Sequence, residues 1–132
     1  PAINIQTLTG GPQMKYTEDH EWLRVDGDVV IVGITAYAAE QLGDVVFVEL
    51  PEIETQVASG DEIVVIESVK AASDIAAPLD GEITEVNDKL GDTPSLVNED
   101  PTGDAWFFKM KIDDMSALDA FMDEDAYNDH IA

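Results

Sequence analysis

The chain has 132 residues, 45% of them hydrophobic, which suits one folded domain with a real core and leaves little room for a second. Twenty-nine Asp and Glu against six Lys and Arg give a net charge of −23, which excludes electrostatic attraction to nucleic acid or anionic lipid. There is no cysteine, so disulfides, thiolate metal sites and a cysteine nucleophile are excluded, and no apolar run approaches the ~20 residues of a membrane span.

Residues Pro1 to Gln13 contain no Lys or Arg and carry Gly10-Gly11-Pro12, which breaks regular structure. They read as a peripheral leader or cloning remnant, with Met14 a natural start. The folded unit is expected over 14–132. His20 to Val25 alternates polar and apolar residues, as a half-buried strand does. Asp26-Gly27 turns the chain into Val29-Val30-Ile31-Val32, completing a hairpin. Thr35 caps a short helix over Ala36 to Leu42 that Gly43 ends. Val45 to Leu50 is β-branched and aromatic, hence a strand, stopped by Pro51.

Gly60-Asp61 precedes a strand over Glu62 to Glu67, and Ala71 to Ala77 returns as another before Pro78. Asp80-Gly81 turns into Glu82 to Val86. Asn87 to Asp104, with Gly91, Pro94, Pro101 and Gly103, reads as loop. Trp106 to Ile112 is the last strand. The period then changes. Ser116-Ala117-Leu118-Asp119 resembles a capping box, and Leu118, Phe121 and Met122 fall on one helical face, so a helical tail is expected over 116–131. Leu42-Gly43-Asp44 and Leu90-Gly91-Asp92 form a weak internal echo.

The most unusual segment is Glu67-Ser68-Val69-Lys70-Ala71-Ala72-Ser73-Asp74. It joins two strands, so Lys70 falls at a hairpin tip that lacks the usual Gly, Pro or Asn. Taken alone, the lysine reads first as a solvated cation guarding a β-edge. The other reading is an amine offered to another protein's active site, where an acylated lysine becomes a neutral swinging arm.

This segment resembles the lipoylation segment of the glycine cleavage system H proteins. The resemblance extends through His20-Glu21-Trp22, Val32-Gly33-Ile34-Thr35, Leu42 to Pro51, Ala77-Pro78, Gly81, Val97 to Pro101, Gly103, Trp106 and Ala126-Tyr127, and covers about Met14 to Ile131. It implies a mostly β fold of the lipoyl/biotinyl type, a flattened barrel or sandwich of two antiparallel sheets with pseudo-two-fold symmetry. It implies lipoate attached covalently to Lys70, and a shuttle rather than an enzyme. The arm would carry an aminomethyl group from a pyridoxal-phosphate glycine decarboxylase (P protein) to a tetrahydrofolate-dependent aminomethyltransferase (T protein). Electrons would pass to dihydrolipoyl dehydrogenase (L protein). A lipoate ligase or octanoyltransferase would load it.

Glu21 and Asp74 match positions lining the cleft that holds the arm in this family, with His20 adjacent and reading first as a packing or turn histidine, and Glu67 and Gly81 match positions linked to lipoylation. Taken alone, Glu21 reads as a solvated strand carboxylate, Asp74 as turn chemistry and Gly81 as a turn glycine with positive φ. His130 in the acidic tail has no assigned role. The chain departs from the family pattern at Pro101 to Trp106, where a tyrosine and a glycine are replaced, and at Asp19, where relatives often carry a small polar residue.

No nucleophile elbow, phosphate loop or metal spacing suggests intrinsic catalysis. A biotinyl carrier is disfavoured by Val69 and Ala71, where such carriers place methionines. The alternative within the resemblance is an H-like carrier that hands lipoate to other complexes or pathways. The expected state is a monomer in a bacterial or archaeal cytoplasm, or in the mitochondrial matrix if the source is eukaryotic.

Overall fold

Alternating apolar and polar residues, cut at short intervals by turn signals, build nine short strands in a computed structural model that describes residues 14–132. The leader expected over residues 1–13 lies outside the described residues. A three-residue strand not anticipated from sequence, β1 (Met14–Tyr16), pairs with β2 (Glu21–Asp26), which forms the expected hairpin with β3 (Val29–Ile34). Then come β4 (Val45–Glu49), β5 (Gln56–Val57), β6 (Glu62–Ser68), β7 (Ala72–Ala76), β8 (Gly81–Val86) and β9 (Phe108–Ile112).

All pairings are antiparallel. One sheet has the order β1-β2-β3-β9-β8-β5 and the other β4-β6-β7. The sheets pack as a sandwich. Leu23, Val32, Ile83 and Met110 of the larger sheet and Val48, Val64, Ile66 and Ile75 of the smaller belong to one buried apolar cluster. Removing this surface from water is the main force holding the sheets together.

The expected helix over Ala36–Leu42, here α1, is present. Its Thr35 hydroxyl accepts the Ala38 N–H and Gly43 ends it with φ 77°, a left-handed turn that favours glycine. The stretch from Asn87 to Asp104 is not simply loop. It contains two single-turn helices, α2 (Lys89–Asp92) and α3 (Leu96–Glu99), because Leu90 and Val97 are fully buried and anchor each turn on the core. The two Leu-Gly-Asp segments differ in conformation. Gly43 leaves a helix in the left-handed region, whereas Gly91 lies inside α2.

The tail departs more clearly from expectation. Asp114, not Ser116, caps a 3-10 turn over Met115–Ala120 by accepting the Ser116 N–H. Phe121 and Met122 are then extended, and Met122 exchanges two backbone hydrogen bonds with Tyr16 of β1 (2.8 and 3.0 Å). Asp123 caps a separate helix, α4 (Glu124–Ile131), through the Ala126 N–H. The apparent helical face of Leu118, Phe121 and Met122 is therefore interrupted. A new cap and a strand-like bridge outweigh the i, i+3, i+4 pattern. Among the described residues no helix is long and apolar enough to cross a membrane.

The outer face of β2–β3 is covered by residues 101–106. Trp22 is fully buried beneath them and donates its indole N–H to the Pro101 carbonyl (2.9 Å). The Thr102 carbonyl accepts from Arg24, and the Asp104 and Trp106 carbonyls accept from the Asn87 side chain. These contacts use main-chain atoms that any residue supplies, so the cover does not depend on the replaced tyrosine and glycine. Gly33 stands directly across from Trp22, and a methyl group there would run into the indole ring. Gly33→Ala is expected to lower stability by ~1–3 kcal/mol through overpacking, measured as a lower urea midpoint.

Candidate functional site

Lys70 sits at a two-residue tip. β6 and β7 pair out to Glu67 and Ala72, and the Ser68 N–H continues to the Ala71 carbonyl, leaving Val69 and Lys70 to turn the chain. Such tight connections ordinarily need left-handed residues. Neither tip residue has positive φ. Ser68 supplies the missing turn chemistry. Its hydroxyl oxygen accepts the N–H groups of Lys70 and Ala71 (3.1 Å each) and its proton goes to the Ala71 carbonyl. Both tip side chains are exposed.

A second strut holds the tip from the side. The Val69 N–H donates to the Asp44 carbonyl (2.9 Å). Asp44 is fixed by Asn98 of α3, which accepts the Val45 N–H and donates to the Gly43 carbonyl (2.8 Å each). The lysine stem crosses Gly43, where a methyl group would lie 2.9 Å from its Cε, and the ammonium donates weakly to the Gln41 carbonyl at 3.4 Å. Asn98 falls within the Val97 to Pro101 motif, but nothing in the local sequence marks its role. Its two bonds span more than fifty residues, beyond any local signal.

From Gln41 a groove of about 350 Å³ runs between α1, the start of β2 and the edge strand β7. Its wall is apolar: Ile34, Ala38, Leu42, Ile66 and Ile75. Its other lining residues are Asp19, His20, Glu21, Tyr37, Ser73 and Asp74. Glu21, Asp74 and His20 thus share one cavity. Asp74 is not in a turn. It lies within β7 opposite Val65, with its carboxylate exposed. Glu21 is not solvated; it is only 5% exposed. Burial, then the neighbouring Asp19 charge, pushes its carboxyl up to about 7, against the opposing hydrogen bonds from the Thr17 hydroxyl and the Ala76 N–H.

His20 has φ 71°, a left-handed conformation unusual outside glycine. Its Nδ1 lies 2.8 Å from the Tyr127 hydroxyl, and its ring packs near Tyr37 and His130 (4.8 and 5.5 Å between centroids). Burial and then His130 hold its proton affinity below the ordinary histidine range, with Asp19 opposing. His130 thus reaches the groove's edge after all, because α4 folds back over β1.

Glu67 is exposed on β6, facing Phe47 and Ala72 in register, three residues before the lysine. Gly81 belongs to the other sheet. It is not a positive-φ turn residue but the buried first residue of β8, where a methyl group would collide with the Lys111 carbonyl of β9. Close backbone approach, not turn geometry, calls for glycine there.

A small β-sandwich that offers a lysine on a braced hairpin, beside an apolar groove ending in a buried acid, has the architecture of a cofactor carrier. The glycine cleavage H-protein family model matches residues 14–132, and the chain belongs to that family. It is 53% identical over 118 residues to the glycine cleavage system H protein of Parvibaculum lavamentivorans, covering 89% of this chain and 94% of that protein. It is 53% identical over 119 residues to that of Phenylobacterium zucineum, covering 90% and 98%. The crystal structure of the H protein from Mycobacterium marinum superposes with a TM-score of 0.81 at 37% identity, covering 90% of this chain and 96% of that one. H proteins are the non-catalytic, lipoyl-bearing shuttles of the glycine cleavage system, and membership implies the P, T and L proteins as partners.

Because the Glu21 carboxyl binds its proton more tightly folded than unfolded, its contribution to stability is full below about pH 4.5 and is lost as pH rises through about 7. The stability difference between Glu21→Gln and wild type should move in favour of Gln by up to ~3 kcal/mol between pH 4.5 and 8, read from urea unfolding at both pH values. Asn98→Ala should cost about 1–3 kcal/mol and speed hydrogen exchange at the Val45 and Val69 amides. Unchanged exchange at Val69 would remove the strut from the account.

Proposed function

We propose that Lys70 is the residue that carries the lipoyl group, and that the groove beside it receives the loaded arm. The observation that carries this reading is the geometry around one cation. The Lys70 amine stands on an exposed, braced tip, and the Gln41 carbonyl it touches is at the entrance of a groove whose lining includes a buried carboxylate. Family membership supports the cofactor, and the position of Lys70 in the motif supports the site.

The residues present suit such an arm. Ile34, Ala38, Leu42, Ile66 and Ile75 offer apolar surface to an alkyl chain. Glu21 and Asp74 offer charge and hydrogen bonds to an ammonium. Bound lipoate supplies a dithiolane that takes up an aminomethyl group from glycine decarboxylation, yields it to the tetrahydrofolate-dependent transferase and passes electrons to the flavin dehydrogenase. The protein's own work is to hold out the amine, shelter the arm and keep water from its far end. Glu67, exposed beside the tip, is proposed as a contact for the lipoate ligase or octanoyltransferase, with Gly81 setting the packing of β8 on β9. A monomer suits a carrier that visits several enzymes in turn, and the bacterial relatives support a cytoplasmic location.

Incubation with lipoate ligase, lipoate and ATP should add a single lipoyl mass to the intact protein. The addition should vanish in Lys70→Ala and persist when Lys15, Lys89, Lys109 and Lys111 are each replaced. Modification of Lys70→Ala would place the cofactor elsewhere and overturn the assignment.

A further inference from the structure

We propose that Tyr127 is a positioning residue that decides which ring nitrogen of His20 carries a proton, so that the groove meets a neutral imidazole with an Nε2–H donor. The role assigned to His20 in the groove rests on the reading above; the proton placement does not.

The direction follows from counting hydrogens. Thr35, Tyr127 and His20 form a chain: Tyr127 Oη lies 2.7 Å from Thr35 Oγ1 and 2.8 Å from His20 Nδ1. The tyrosine hydroxyl has one proton for two neighbours. Thr35 Oγ1 already accepts the Ala38 N–H as the cap of α1 (3.2 Å). If Tyr127 donated to Thr35, the Thr35 hydroxyl proton would have no acceptor among the described residues, on a side chain of a residue only 4% exposed. That is a costly place to strand a proton. If Thr35 donates to Tyr127 and Tyr127 donates to His20 Nδ1, each proton in the chain has an acceptor. Nδ1 is then a bare lone pair, and the ring proton sits on Nε2.

The surroundings agree. His130 of α4 stands near the His20 ring and opposes a cation there, as burial does. Asp19 before β2, Glu21 at its start and Asp74 of β7 face the same groove, and Tyr37 of α1 packs on the ring; of these, Asp19 draws the proton affinity upward. The backbone places His20 in the left-handed region, where the Thr35 N–H donates to its carbonyl (2.9 Å) and its own N–H donates to the Thr17 carbonyl (3.1 Å). Such an outlier is held only where its surroundings over-determine it. Among the described residues Nε2 has no hydrogen-bond partner. A neutral ring there does not compete with an ammonium for Glu21 and Asp74, and its Nε2–H is free to donate to a neutral amine nitrogen or a sulfur.

The test is nitrogen NMR on the unmodified full chain with labelled histidine. Only two histidines exist, and His130→Gln assigns them. At pH 7.5 the His20 signals should report the Nε2–H tautomer. In Tyr127→Phe, which keeps the ring stacked on Tyr16, they should shift toward tautomer exchange and the His20 titration midpoint should rise. Thr35→Ser should preserve the wild-type signature, and the tautomer read in the wild-type chain itself keeps the test decisive if Tyr127→Phe folds poorly. An Nδ1–H tautomer in wild type, or signals unchanged in Tyr127→Phe, overturns the proposal. Lys70→Arg separates this from the attachment site: it should abolish lipoylation and leave the His20 signature intact. With the carrier loaded, Tyr127→Phe should also displace the pH profile of ammonia release. An altered tautomer with an unaltered profile would overturn the role of His20 in the groove.

Discussion

The Val69 N–H to Asp44 carbonyl bond fixes the hairpin tip while leaving both of its side chains exposed. A hairpin tip with no left-handed residue tends to splay. Here the Ser68 hydroxyl closes it from within, and the end of α1 holds it from the side. The side brace depends in turn on Asn98, whose amide pins Gly43 and Val45 on both sides of Asp44. The geometry of the lysine is thus set by a helix cap, a one-turn helix and a serine, none of which need bear on the lysine's own amine.

The electrostatics of the groove run against the rest of the surface. In a chain of net charge −23 most carboxylates are solvated and individually cost little. Glu21 is the exception, because taking its charge out of water is expensive and Asp19 adds repulsion. A carboxyl whose proton is loosely balanced near neutrality can hold a neutral or a cationic group at similar cost. The Asp19 charge sets part of this balance.

Much of the fold was legible because strand signals are local. The alternation from His20 to Val25, the turns at Asp26-Gly27 and Gly60-Asp61 and the cap at Thr35 all correspond to observed elements. The tail runs against its local pattern, because the spacing of Leu118, Phe121 and Met122 mimics a helix that a bridge to β1 and a cap at Asp123 interrupt. Leu90 and Val97 sit in a stretch rich in breakers, yet burial wound each into a helical turn. At the candidate site, the exposed tip at Lys70 was legible from the strands on either side of it. The burial of Glu21 was not, since alternation marks a strand's two faces but not what covers them. Asn98, Tyr127 and His130 act across 50 to 110 residues of separation, and no local pattern encodes such pairings.

The shortness of the tip has a consequence for anything fastened to it. With the main chain pinned on both sides of Lys70, the pivot of a tether is a fixed point, and its sweep is limited by covalent length alone. Every docking enzyme then meets the same radius and the same origin, so an active site must come to the carrier within that sphere. The carrier does not lend extra reach by loosening its scaffold.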